Sequence, residues 1–193
     1  MDHLTRLLLD ARDGDRRALE RFVAETQADV WRLCRYLGDD RDADDLAQET
    51  YERAVGSLHR YRAEGPARAW LLTVARRVCV DHTRRAVRRR RRDAAVMDEA
   101  LAGGTSSLVV ADGAERVALD SVLSQLGDDR REAFVLTQIL GLHYDETAEV
   151  LGCPVGTVRS RVARARLDLM ESMTDDTAGG REDSGTGSLR RAT

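Results

Sequence analysis

Thr157, Arg159, Ser160, Arg161 and Arg164 lie in a stretch, Val155–Leu167, that carries four Arg and no acid. A guanidinium donates two parallel hydrogen bonds to the O6/N7 edge of guanine, and hydroxyls meet bases or phosphates. A second basic stretch, residues 66–92, holds ten Arg and one acid, Asp81. Within it lie Arg76, Arg77, Arg84 and Arg85, with Trp70 near one end and the unbroken run Arg88–Arg92 at the other. Like charges at helical spacing repel, so the run needs a polyanion, nearby acids or solvent. A third stretch has the opposite sign. Residues 39–52 hold seven acids and one Arg, and include Asp42, Asp45, Gln48 and Glu49. Such asymmetry implies one face for a polyanion and another for a basic partner. The chemistry is recognition. No carboxylate pair with His, no nucleophile motif and no phosphate loop occurs, so no catalytic residue is assigned and the chain is not read as an enzyme.

These side chains need helices to position them. Val155, Val158, Val162, Ala165 and Leu169 form an inward stripe that turns Thr157, Arg159, Ser160, Arg161 and Arg164 outward. A short helix, Tyr144–Leu151, precedes it. Gly152 suits the tight turn between them, and Pro154 fits the first position of the second helix. The pair reads as a helix-turn-helix, whose second helix presents its N-terminal residues to the major groove. Arg164 and Arg166, further along, suit phosphate or an internal acid.

Upstream, Leu19, Phe22, Val23, Val30, Leu33, Cys34 and Leu37 mark one face of a long helix that Gly38 ends. Asp42 is a good N-cap for the next helix, with Leu46, Thr50, Ala54 and Leu58 as its inward stripe. Residues 61–67 form a turn with Gly65-Pro66 as punctuation. A third helix, Arg68–Arg85, turns Leu71, Val74, Ala75, Val78 and His82 inward, while Trp70 either supports an unpaired base or packs in the core. Residues 1–14 read as a frayed helix. Residues 93–114, with GGTSS, read as a linker. Helices follow from Glu115 to Gly127 and, capped by Asp128 or Asp129, on to Gly141. Beyond Met173 the Gly, Ser, Thr and Asp-rich tail has little to bury and is read as disordered.

The 193 residues are 42% apolar and 34% charged, with 4% aromatics and 2 Pro, which favours an all-α globular protein. All 31 basic residues are Arg. Cys34, Cys79 and Cys153 are isolated and odd in number, which points to a reducing compartment. Cys79 and His82 stand three apart, but nothing completes a metal site, so no metal or cofactor is assigned. No apolar run approaches the ~20 residues a membrane span needs, and the N-terminus has no signal-peptide pattern. The chain is read as cytoplasmic, with no membrane partner.

Three segments in order carry a family resemblance. DADDLAQETYERA (42–54), ARAWLLTVARRVCVDHTRR (67–85) and GLHYDETAEVLGCPVGTVRSRVARAR (141–166) resemble the bacterial RNA polymerase sigma factors of the extracytoplasmic-function group, and the last suggests the sigma-C type. With the helices around them the resemblance covers roughly Ala18–Glu171. It implies that Asp42, Asp45, Gln48 and Glu49 dock on the β′ clamp helices of core polymerase, which is also held through its β subunit. It implies that Tyr61, Trp70, Arg76, Arg77, Asp81, Arg84 and Arg85 read and open the minus-ten promoter element, with residues 61–66 forming part of a pocket for a flipped base. Thr157, Arg159, Ser160, Arg161 and Arg164 would read the minus-thirty-five element. An anti-sigma factor is a further possible partner. Two departures stand out: Arg77 occupies a position where the family often has Asn, and His143 one where a Ser commonly caps the helix.

The expected fold is all-α, with two small helical domains joined by a flexible linker. The first spans 1–92 (core binding and minus-ten recognition), the linker 93–114, the second 115–173 (helix-turn-helix), and a disordered tail 174–193. At ~3.3–3.6 Å per residue the linker spans at most about 75 Å, close to the ~70 Å of two turns of DNA. Two rivals remain: a helix-turn-helix regulator without sigma activity, which leaves the N-terminal charge asymmetry unexplained, and a helical adaptor that binds polymerase or a sigma factor without promoter preference.

Overall fold

The computed structural model describes residues 1–38, 40–96, 119 and 121–179. Helix α1, His3–Arg12, is a capped helix rather than a frayed one. The Asp2 carboxylate accepts the Thr5 N–H, and Leu7, Leu8 and Ala11 are buried. Helix α2, Arg16–Leu37, starts at Asp15, whose side chain accepts the N–H groups of Arg17 and Ala18. It stops at Gly38, where a Cβ would lie 2.5 Å from Leu46 Cδ1 and 2.6 Å from the Cys34 carbonyl oxygen. Only glycine lets the chain turn so close to the next helix.

Helix α3, Ala43–Ser57, buries Leu46, Thr50 and Ala54 as its spacing predicts. Asp42 occupies its cap position but makes no side-chain cap bond. Its carboxylate lies 3.4 Å from His82 instead. Helix α4, Ala67–Val96, outruns the expected end at Arg85 and carries the whole Arg88–Arg92 run. Its inward face is Leu71, Leu72, Ala75, Val78 and Cys79. His82 stands half-buried at the surface beside Asp42 rather than inside. Cys79 lies next to Cys34 in the core, and that contact together with burial pushes its thiol up.

The second half holds α5 (Asp128–Phe134), a π-helical turn (Val135–Ile139), α6 (Tyr144–Leu151) and α7 (Val155–Gly179). Gly127, not Asp128 or Asp129, caps α5. Both aspartates fall in its first turn, where the helix dipole favours acids. Pro154 stands one position before α7. Its carbonyl accepts the N–H groups of Thr157 and Val158, which makes it the cap rather than the first helical residue. α7 runs on to Gly179, past the expected boundary at Met173, and α4 runs into the expected linker as far as Val96. The rest of the linker (97–114), residues 115–118 of the next expected helix and residues 180–193 of the tail lie outside the described residues. Among the described residues all regular structure is helical, and no helix is long and apolar enough to cross a membrane.

The two halves are in contact. Leu136, Leu140, Leu142, Ala148, Val150 and Leu151 share one buried cluster with Phe22, Leu33, Leu71 and Leu72. α4 packs against α6, and α2 against α5. Tyr36 of α2 also packs on Leu123, Leu126 and Ala165, a small core of the second half. Fully burying one Leu, Val or Phe is worth about 1.5–3 kcal/mol, so this contact is held by more than surface charge.

Candidate nucleic-acid interface

The helix-turn-helix is built from the inside out. Val158, Val162 and Ala165 are at most 1% exposed and fix the rotation of α7. Gly152 takes φ +65°, a left-handed turn that costs a side-chain-bearing residue about 1–2 kcal/mol. At the start of α6 the Glu146 carboxylate accepts the His143 N–H at 3.0 Å, which ties the entering chain to the helix although it does not replace the bond a Ser side chain at 143 would accept from the first turn. Arg159 and Ser160 then stand exposed, with Thr157 half-buried beside them. Among the described residues the guanidiniums of Arg159 and Arg164 have no protein partner.

Arg161 is placed differently. Its guanidinium lies 2.5 Å from Asp129 and 3.8 Å from Cys153 Sγ. Arg166 likewise donates to Gln138 at 2.7 Å, and Arg130 pairs with Asp168 at 2.5 Å. These three arginines tie α5 and the π-helical turn to α7. Their helical spacing alone placed Arg161 with Arg159, because Asp129 lies 32 residues away.

The first half has a cavity of about 370 Å³ at the start of α4, lined by Arg60–Pro66, Ala69, Trp70 and Thr73. Tyr61 is 4% exposed, and its ring lies 5.1 Å from that of Trp70 at a tilt of 51°. Its hydroxyl donates to the Gly65 carbonyl at 3.0 Å. Burial pushes the Tyr61 phenol up, an effect that a hydrogen bond with Thr5 reduces. Ala63 takes φ +55°, a strained turn of the kind that persists where its surroundings hold it. Trp70 both lines this cavity and packs against the core, so the two readings of it are compatible.

Further along α4, Arg77, Arg84 and Arg85 are exposed. Asp81 is engaged with α3, accepting from Arg53 at 3.1 Å. Arg53 also donates to Glu49 at 2.5 Å, and Arg85 lies 3.9 Å from the same Glu49. Two residues expected on different surfaces, Glu49 and Asp81, therefore share one arginine. Arg53 was missed in the sequence, although its place four residues after Glu49 is the usual spacing of a helical ion pair. Asp45 and Gln48 are exposed on the same helix, with Gln48 donating to Glu52 at 3.0 Å.

Arg76 faces the second half, not solvent. It reaches Glu132 at 2.8 Å, and Glu132 is only 8% exposed. Arg68 bridges Asp29 at 2.7 Å and the Leu140 carbonyl at 2.6 Å. Glu149 of α6 lines the cavity rim, close enough to Gly65 that a Cβ there would meet its carboxylate at 2.9 Å. None of these contacts had a signal in the sequence, since each partner lies more than thirty residues away from the other.

A helical half with a cavity and a basic helix thus precedes a helix-turn-helix half. The comparisons with known proteins give the family. The family description "Sigma-70 region 2" matches residues 22–90, and "Sigma-70, region 4" matches residues 116–169. The chain is 47% identical over 178 residues to the ECF RNA polymerase sigma factor SigC of Mycobacterium tuberculosis, covering 91% of this chain and 95% of that protein. Among solved structures, that of CnrH in complex with the cytosolic domain of CnrY aligns with a TM-score of 0.71 at 29% identity, over 91% of this chain and 99% of CnrH. That of RpoE with the anti-sigma factor NepR from Bartonella quintana gives 0.65 at 25%, over 81% of this chain and 96% of RpoE. The chain belongs to the extracytoplasmic-function group of sigma-70 factors and is SigC-like. It is an RNA polymerase sigma factor, which binds core polymerase and directs promoter-specific initiation.

Proposed function

We propose that this sigma factor grips its promoter in two places, with different residues at each. At the minus-thirty-five element Arg159 and Ser160 meet base edges, Thr157 supports them, and Arg164 meets phosphate. Arg161 holds α7 on α5 through Asp129 and acts through position rather than contact. At the minus-ten element Arg77, Arg84 and Arg85 follow the melted strand along α4, and the cavity at Tyr61 and Trp70 takes an unpaired base. Stacking of that kind is worth about 1–3 kcal/mol per base. Arg76 joins this set once the two halves separate, and Asp81 orders it through Arg53. Asp45, Gln48 and Glu49, with Asp42 beside them, meet the basic β′ clamp helices, and the second domain meets the β subunit. Residues 1–92 form the first unit, 93–114 the connection and 115–173 the second. The chain needs no catalytic group or cofactor of its own and acts where the polymerase is, in the cytoplasm. The complex of the structural neighbour RpoE with the anti-sigma factor NepR supports an anti-sigma factor as a further partner of this chain.

The observation that carries this reading is the pairing of two exposed arginine faces, on α4 and α7, with one exposed acidic face on α3. Run-off transcription with core polymerase tests it. The expected result is transcripts from defined start sites that depend on this protein. Promoter binding by the chain without any gain in initiation would overturn the reading.

A further inference from the structure

The turn before α4 is held from outside its own sequence. Tyr61 and Ala67 stand at its two ends, and both are pinned by α1. Arg12 Nη1 donates to the Tyr61 carbonyl at 3.1 Å, across 49 residues. Thr5 Oγ1 accepts the Ala67 N–H at 3.0 Å, across 62 residues. Ala67 is fully buried and Thr5 is 4% exposed, so this bond is shielded from water. Thr5 is itself fixed, since both its hydroxyl and its backbone N–H donate to the Asp2 carboxylate. Burial alone would push the Asp2 carboxyl up, but the bonds from Thr5 outweigh it and hold the group below its usual range. Between the two pins lie Ala63 in its left-handed conformation and the Tyr61 hydroxyl bond to Gly65. A strained turn of this kind keeps one shape only while its ends are fixed.

We infer that α1 is a positioning element for base selection, and that Thr5 and Arg12 set the shape of the cavity floored by Tyr61 and Trp70. This rests on the proposed reading of that cavity as the place for an unpaired base. Neither residue touches DNA. Thr5 fixes where α4 begins, Arg12 fixes where the turn leaves the preceding 3-10 turn at Leu58–Arg60, and the base meets the wall that results.

Holoenzyme assembled from the full chain and core polymerase is incubated with single-stranded DNA randomised at the unpaired positions, and bound and input strands are sequenced. The wild-type chain enriches one base at one position. Thr5→Val and Arg12→Ala each reduce that enrichment about fivefold, the effect of one net hydrogen bond. Thr5→Ser, which keeps the hydroxyl, restores it. Affinity for core polymerase and helix-turn-helix binding to duplex DNA stay at wild-type level in all three. Unchanged enrichment in Thr5→Val and Arg12→Ala overturns the inference, as does a loss matched by an equal loss of core affinity, which would mean a general weakening of the domain. Thr73→Leu, which places bulk in the cavity, separates the two readings. If it abolishes enrichment while the α1 variants do not, only the role of α1 falls. If it too changes nothing, the cavity does not select the base and the inference falls with that reading.

Discussion

Arg159 and Arg161 are two positions apart, yet their surroundings give them different work. Arg159 stands in solvent, while Arg161 is spent on Asp129. Arg159→Ala should weaken minus-thirty-five recognition by about 1–3 kcal/mol and relax preference at one base pair, measured as holoenzyme affinity across single-base promoter variants. Arg161→Ala should instead lower the melting temperature and weaken all sites evenly. A base-specific loss in Arg161→Ala would show that the Asp129 contact gives way on DNA. The sequence carries the identity of these residues and their common helix, because helical spacing is local. It does not carry which arginine is free, because Asp129, Gln138 and Glu132 come from chain positions that only packing brings near. Thr5 is the extreme case. It reads as a minor residue of a weak terminal helix, yet its hydroxyl accepts the Ala67 N–H from 62 residues away.

At the scale of elements, the stripe Leu46, Thr50, Ala54 and Leu58 is buried as read, and in the stripe of α7 Val158, Val162 and Ala165 are buried while Val155 and Leu169 at its ends are half-buried. Caps and ends were less legible. Asp42, Asp128 and Pro154 each sit one position or one partner away from expectation, since a cap depends on where the incoming chain leaves its carbonyls as well as on residue type. The exposed face of α3 gives a direct prediction. Asp45→Arg should reduce core binding at least tenfold on gel filtration, because it puts a like charge against a basic partner. The same reversal at Glu49 should cost stability as well, since Arg53 and Arg85 would then face a positive charge. Gly152→Ala should destabilise the second domain by about 1 kcal/mol through its left-handed turn, read from chemical denaturation. Deleting residues 180–193, beyond the end of α7, should leave transcription in vitro near wild type, and a large loss would give that segment a role of its own.

At the scale of the whole molecule, the second half covers part of the surface proposed for the minus-ten element, while Arg159 on α7 and Arg77, Arg84 and Arg85 on α4 stay exposed. Arg76 is bound to Glu132, Glu149 sits at the cavity rim, and α4 lies against α6. Two carboxylates thus occupy a surface suited to nucleic acid, and we propose that promoter engagement separates the halves. Removing one partner of such a pair costs about 2 kcal/mol, or a shift of about thirtyfold toward the open arrangement. Glu132→Ala should therefore raise the affinity of the free chain for minus-ten single-stranded DNA, with a much smaller gain in assembled holoenzyme, where polymerase already holds the halves apart. No gain in the free chain would mean that the buried apolar contact, not the ion pair, sets the closed state. The packing was beyond the sequence, which showed opposite charges in separate segments but not their meeting. The two-grip claim is tested most directly by permanganate and nuclease footprinting of holoenzyme assembled with this chain on one of its own promoters. Protection of the upstream element together with unpaired thymines at the downstream one, each lost separately in Arg159→Ala and Thr73→Leu, is the expected result. Loss of both signals together in either variant would contradict it.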